Sequence, residues 1–306
     1  RRQRQMCIRD SLSALAEPGR YTLATLLQDR PVDLALPNGD RWTPRNYDRK
    51  VHGTVPLHRA LADSLNLATV NLGLEIGVPR VLHTLQRLGL DKPVEPYPSL
   101  LLGALQLSPL EVTQLYQTIA AGGFRAPLRA IREVLDAQQQ PLQRYPLEVE
   151  QSVDPVAVFL LTSNLQEVVQ DGTARGLSRY LADVEGFAGK TGTTNDLRDA
   201  WFAGFSGDRV ATVWVGRDDN RPTGLTGSSG AVPVFGTVMQ QLRPAPLIQA
   251  PPRGVEYVWV EPASGMRSAA GCAGARMLPF ARGSAPHTRS TCAAGESRGF
   301  LQRLFD

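Results

Sequence analysis

The sequence predicts an α+β fold: an antiparallel β-sheet flanked by helices, with a small C-terminal appendage. Three observations point that way. Helical and strand periodicities alternate over residues 12–243, a two-residue Gly207-Asp208 turn joins two β-prone runs, and the texture turns proline-rich after Arg243. At 306 residues and 42% hydrophobic content, the chain can bury one sizeable core and carry a further small region.

Taken in order, Pro56 to Leu65 has apolar residues at 57, 61 and 65 with Ala60 between them, a helical spacing that leaves Ser64-Leu65-Asn66 near a helix end. Asp154 reads as an N-cap and Pro155 as a first helical residue. A buried stripe of Val156, Leu160, Leu161, Leu165, Val168 and Val169 follows, and Gly172 closes it. Both helices are packing elements on this reading. Phe187 to Thr194 is β-prone and leads through a polar loop containing Asn195, Asp196 and Asp199 into Ala200 to Phe205. The tight turn then delivers Arg209 to Gly216, rich in Val and Thr, which makes a hairpin and so an antiparallel sheet.

Pro244, Pro246, Pro251 and Pro252 mark a linker, so the domain boundary falls after residue 243. Beyond it Val255 to Glu261 alternates as one strand, and apolar periodicity is otherwise low to residue 306 apart from Met277 to Ala281. Cys272 and Cys292 enclose 19 residues of this tail. They are a disulfide loop if the compartment is oxidising, or two unpaired thiols in a loose segment; both readings stay open.

The 33 basic residues are 30 Arg and 3 Lys against 29 acidic residues, a net charge of +4, and the arginines are scattered rather than striped. Nucleic-acid binding therefore gains no support. The longest apolar stretch, Leu100 to Leu110, is broken by Gly103, Gln106, Ser108 and Pro109, far from the roughly 20 apolar residues of a membrane-spanning helix. The chain opens on Arg1 without a signal-peptide pattern and is expected to be a fragment of something longer. His52, His58, His83 and His287 have no paired spacing, so no metal site is expected, and no cofactor is implied.

The chemistry concentrates at Lys190-Thr191-Gly192-Thr193-Thr194. Gly189 and Gly192 weaken a strand unless something must approach the backbone closely, so an extended peptide could lie alongside it. Lys190 would then meet a carboxylate, the hydroxyls of Thr191 and Thr193 could donate to it, and strand-edge N–H groups could help to form an oxyanion hole. A phosphate-binding loop is rejected, because position 184 is Val184 rather than Gly and poor helix-formers follow the lysine.

Ser64-Leu65-Asn66 and Lys190-Thr191-Gly192 occur in the order of a three-part signature of penicillin-binding proteins and class A β-lactamases. Longer stretches extend the likeness: Pro37 to Asp48, Ser64 to Asn71, Leu102-Gly103-Ala104 with Ser108 to Val112, Gly172 to Arg175, and Gly189 to Gly204. Residues 12 to about 240 resemble the transpeptidase domain of a bifunctional class A penicillin-binding protein of the 1B type.

The resemblance implies a serine D,D-transpeptidase that acylates on the D-Ala-D-Ala end of a peptidoglycan stem peptide, passes the acyl group to an amine and is acylated by β-lactams. It assigns proton relay to Ser64, the donor amide to Asn66, proton transfer and carboxylate binding to Lys190, and carboxylate binding to Thr191 and Thr193, with Gly192 and Thr194 completing the substrate strand. It further implies an upstream glycosyltransferase domain and a membrane anchor at the periplasmic face of the bacterial inner membrane.

The nucleophile is where the chain departs from this pattern. The three lysines, Lys50, Lys92 and Lys190, are preceded three places earlier by Tyr47, Gly89 and Phe187, so the sequence contains no Ser-x-x-Lys. By register the missing Ser falls at Arg4 and its Lys at Cys7, and residues 1–11 do not resemble the family. Ser11, Ser13 and Cys7 have no Lys or His at short spacing to act as base. The expected account is a truncated or mis-joined gene model, the alternative a catalytically dead relative; as written, the chain is expected not to be acylated. Other readings are a non-catalytic peptide-binding module, a D,D-carboxypeptidase or a β-lactamase.

Overall fold

The computed structural model describes residues 8–36 and 39–294, so positions 4 and 7 and the pair 37–38 of the longer motif lie outside the described residues. Helix α1 (Ile8–Leu15) buries Ile8, Asp10 and Ser11 together with Leu12 and Leu15. Residues 8–11 thus run without a break into the segment that begins at residue 12. The boundary after residue 11 marks the end of a likeness, not a joint in the structure.

Strands β1 (Leu26–Asp29), β2 (Leu34–Ala35), β3 (Arg41–Trp42) and β4 (Gly53–Pro56) form two small antiparallel ladders, β1 with β4 and β2 with β3. Three helices follow, α2 (Leu57–Ala62), α3 (Asn66–Ile76) and α4 (Val78–Leu88). The predicted helix therefore stops at Ala62 and leaves Asp63, Ser64 and Leu65 as a sharp turn. Ser64 takes φ +59°, a left-handed conformation that residues other than glycine seldom adopt. Helix α5 (Pro109–Ala120) is closed by a reciprocal cap between Ser108 and Glu111. Then β5 (Phe124–Arg125) pairs with β8 (Glu150–Gln151), and the exposed hairpin of β6 (Glu133–Leu135) and β7 (Pro141–Arg144) lies between them in sequence.

Helix α6 (Pro155–Gln170) forms as the sequence predicts: the Asp154 carboxylate accepts from the Ala157 N–H at 2.9 Å, and Leu160, Leu161, Leu165, Val168 and Val169 are buried. It packs against the central sheet, whose strands β9 (Ala188–Thr193), β10 (Asp199–Phe205) and β11 (Val210–Gly216) run antiparallel in the order β11-β10-β9. All seven residues of β10 are buried. Helix α7 (Val232–Leu242) seats Phe235 edge-on to Phe202, with centroids 4.7 Å apart, and to Phe187 at 6.3 Å.

The C-terminal region is a three-stranded antiparallel sheet, β12 (Val255–Glu261), β13 (Met266–Arg267) and β14 (Arg276–Ala281), in the order β13-β12-β14. Cys272 and Cys292 are disulfide-bonded. Of the two readings left open for the tail, the closed β appendage is the one observed, and the loose segment with free thiols is corrected for residues 253–294. The proline-rich linker is held down as well. The Leu247 N–H donates to the Gly186 carbonyl at 2.9 Å and the Gly207 N–H to the Ala245 carbonyl at 2.8 Å. Among the described residues, no helix is long and apolar enough to cross a membrane.

One ionic cluster fastens the appendage to the helices. Arg276 of β14 reaches Glu167 of α6 and Asp171 just past its end, each at 2.7 Å, and Glu167 also lies 2.9 Å from His58 Nδ1 and 3.2 Å from Arg59. Burial pushes the Glu167 carboxyl up, but the hydrogen bond and charge of His58 and the guanidinium groups of Arg276 and Arg59 outweigh it and hold the carboxyl below its ordinary 4.5. A depressed carboxyl contributes stability that is complete above its unfolded pKa and is lost as pH falls through the folded value. Urea unfolding should therefore show wild-type stability declining below about pH 4.5. Glu167→Gln should be less stable at pH 7 and lose less over that acid window; an unchanged acid slope would remove the cluster from the account.

Candidate active site

The turn between α2 and α3 delivers Ser64 to the outer strand of the central sheet. Lys190 Nζ donates to Ser64 Oγ at 2.8 Å, joining residues 126 positions apart, and makes a longer contact of 3.3 Å with the Thr191 carbonyl. Lys190 is fully buried. An ammonium taken out of water needs hydrogen-bond acceptors, and the Ser64 hydroxyl is one that the protein holds in place. Because Ser64 accepts with its oxygen, its own hydroxyl proton is not used in this contact.

A second set of contacts closes the site from the other side. The Thr173 N–H donates to the Ala62 carbonyl at 3.1 Å, two residues before Ser64, while Thr173 Oγ1 and Thr191 Oγ1 are 2.7 Å apart. The Ser228 hydroxyl donates to the Thr173 carbonyl at 2.5 Å, and the neighbouring Gly227 N–H donates to Thr193 Oγ1 at 3.0 Å. Thr193 therefore acts as an acceptor in this contact. Gly172 belongs to the same closure, since a Cβ there would stand 2.4 Å from the Ala62 carbonyl oxygen.

Of the residues singled out in the sequence, Ser64, Lys190, Thr191 and Thr193 are joined by this chain of contacts. Gly192 lies under the turn at 227–231, where a Cβ on Gly227 would come within 2.8 Å of the Gly192 carbonyl oxygen. The Thr194 hydroxyl accepts from the Asp199 N–H at 2.8 Å and its own N–H donates to the Asp199 carbonyl, which ties the loop between β9 and β10. Asn66 is the first residue of α3, and its side-chain amide donates to the Arg45 carbonyl at 2.8 Å.

The reason for Gly189 also changes. A Cβ there would meet Phe202 Cζ at 2.5 Å, so its smallness serves packing against β10 rather than access for a ligand. Strand β9 is the outer strand of its sheet, and among the described residues no strand pairs with its free side. Thr173 and Ser228 went unassigned in the sequence. Thr173 stood inside a recognisable Gly-Thr-Ala-Arg stretch without a role, and Ser228 carried no signal.

The fold is that of the penicillin-binding transpeptidases. The 2.6 Å crystal structure of penicillin-binding protein 1A from Haemophilus influenzae matches with a TM-score of 0.84 over 94% of this chain and 49% of that one, at 24% identity. At the level of sequence, the penicillin binding protein transpeptidase domain matches residues 32–240. Penicillin-binding protein 1B of Vibrio cholerae is 46% identical over 245 residues, 80% of this chain and 31% of the relative. The same-named protein of Escherichia coli is 43% identical over 253 residues, 82% of this chain and 30% of the relative. The chain belongs to the penicillin-binding protein transpeptidase family. It spans about a third of the length of these curated relatives.

The hydroxyl pair at the centre of this closure can be tested by substitution. Thr173→Val should lower stability by about 1 kcal/mol through loss of the bond to Thr191. In a double-mutant cycle with Thr191→Val the two losses should be non-additive, since each removes the same contact. Strictly additive losses in urea unfolding would mean that the two hydroxyls do not interact.

Proposed function

We propose that this domain binds the D-Ala-D-Ala end of a peptidoglycan stem peptide, and β-lactams in its place, in the groove between the Ser64 turn and β9, the site at which its family performs D,D-transpeptidation. The observation that carries the reading is the 2.8 Å contact of Lys190 with Ser64 beside the threonine hydroxyls of β9. A terminal carboxylate suits hydroxyl donors from Thr191 and Thr193 with the charge of Lys190 buried behind them, and the free side of β9 suits an extended backbone. Asn66 is assigned the amide of the bound peptide.

In the transpeptidation that the family implies, a serine attacks the penultimate carbonyl, D-Ala departs with a proton relayed through Lys190 and Ser64, and an amine completes the transfer. The sequence has no Ser-x-x-Lys to supply that serine and its base. That absence favours a second reading for residues 1–306 as they stand, a peptide-binding module that is not itself acylated. For the longer protein of the 1B type we propose the upstream glycosyltransferase domain, the membrane anchor and a place at the periplasmic face of the inner membrane. The Cys272–Cys292 bridge fits such an oxidising compartment.

A labelled penicillin incubated with this chain should leave no covalent band after denaturation, and a covalent band would overturn the inactive reading. A peptide ending in D-Ala-D-Ala should shift the NMR resonances of Thr191 and Thr193, and Lys190→Ala should abolish those shifts. A wild-type spectrum unmoved by millimolar peptide would overturn the groove assignment.

A further inference from the structure

Helix α3, which begins at Asn66, has no cap of its own. Its N-cap residue is Leu65, buried and unable to accept from the first-turn N–H groups, and a helix start left in that state loses stability. Ser64 is the nearest hydroxyl, yet its oxygen already accepts from Lys190. The missing cap comes from two residues far back in the chain. Asn46 Oδ1 accepts from the Leu67 N–H at 3.1 Å, and Asp29 Oδ1 accepts from the Ala68 N–H at 2.9 Å. These are the second and third helical positions, the N–H groups that a local cap would serve.

The two caps also hold each other. Asp29 is fully buried, and its other carboxylate oxygen accepts from Asn46 Nδ2 and from the His52 N–H, both at 2.7 Å. Asn46 Nδ2 donates in addition to the Lys50 carbonyl at 2.9 Å, so every polar atom of its side chain is used. A carboxylate at a helix N-terminus is further favoured by the helix dipole. The residue next to Asn46 completes the arrangement, because the Arg45 carbonyl accepts the side-chain amide of Asn66.

We propose that Asp29 and Asn46 are positioning residues for the groove: they cap α3 from outside, which leaves the Ser64 hydroxyl to Lys190 and fixes the Asn66 amide where a bound peptide would meet it. The peptide part of this statement rests on the function proposed above; the capping part stands without it.

The test uses the full chain with Asp29→Asn and with Asn46→Asp. In Asp29→Asn an amide nitrogen faces the Asn46 amide and the His52 N–H, and in Asn46→Asp a carboxylate oxygen faces Asp29 and the Lys50 carbonyl, so each variant sets like groups against one another. Leu27→Ala, a buried truncation on the same strand as Asp29, serves as the stability control.

The single variants should weaken binding of a D-Ala-D-Ala-ended peptide by about fivefold or more. They should also move the side-chain amide resonance of Asn66 and speed hydrogen exchange at Leu67 and Ala68. Leu27→Ala should lower the melting temperature without moving the Asn66 resonance. If the single variants lose stability as the control does, yet leave the Asn66 resonance and the exchange rates unmoved, the proposal is overturned. If wild type binds no peptide while these resonances respond as expected, the capping role stands and the function proposed for the groove fails.

Discussion

A buried lysine that must be hydrogen-bonded is the constraint around which this domain is arranged. Lys190 has no solvent exposure, and its contact with Ser64 joins the turn after α2 to the central sheet. The rest of the site follows from keeping that contact. Ser64 holds a left-handed backbone to aim its hydroxyl, α3 starts immediately afterwards, and Thr173 bridges the end of α2 to Thr191 from the opposite side. Such strain persists only where the surroundings over-determine it.

Remote parts of the chain bear on the same place. His58 and Arg59 of α2 meet Glu167 of α6, which Arg276 of the C-terminal sheet also holds, so the appendage braces the helix that leads into Ser64. The disulfide at 272–292 closes that appendage, and the linker at 244–252 is hydrogen-bonded to the turns at Gly186 and Gly207. The C-terminal region is therefore part of the scaffold that holds the Ser64 turn rather than a tail.

What could be read from sequence was local. The Asp154 cap, the proline that follows it, the turn at Gly207-Asp208 and the strand from Val255 are signalled within a few residues, and each stands where predicted. The approach of Ser64 to Lys190 spans 126 positions and could be anticipated only through a family likeness. Nothing periodic announces Asp29, Asn46 or Thr173, because all of their side-chain hydrogen bonds except Asn46 to Lys50 reach 17 residues or more along the chain. Gly189 was legible as a glycine under constraint, but whether the intruder was a ligand or Phe202 depended on strand pairing. The two cysteines gave a spacing without a redox state, and the fold supplied the pairing.

On the function proposed above, the Ser64 turn and β9 together receive a peptide carboxylate. A crystal structure of the chain soaked with a D-Ala-D-Ala-ended peptide tests it most directly. The terminal carboxylate should lie against the hydroxyls of Thr191 and Thr193, with Ser64 Oγ still in hydrogen-bond contact with Lys190 Nζ. Peptide bound on another face, or Ser64 and Lys190 separated beyond contact, would contradict it.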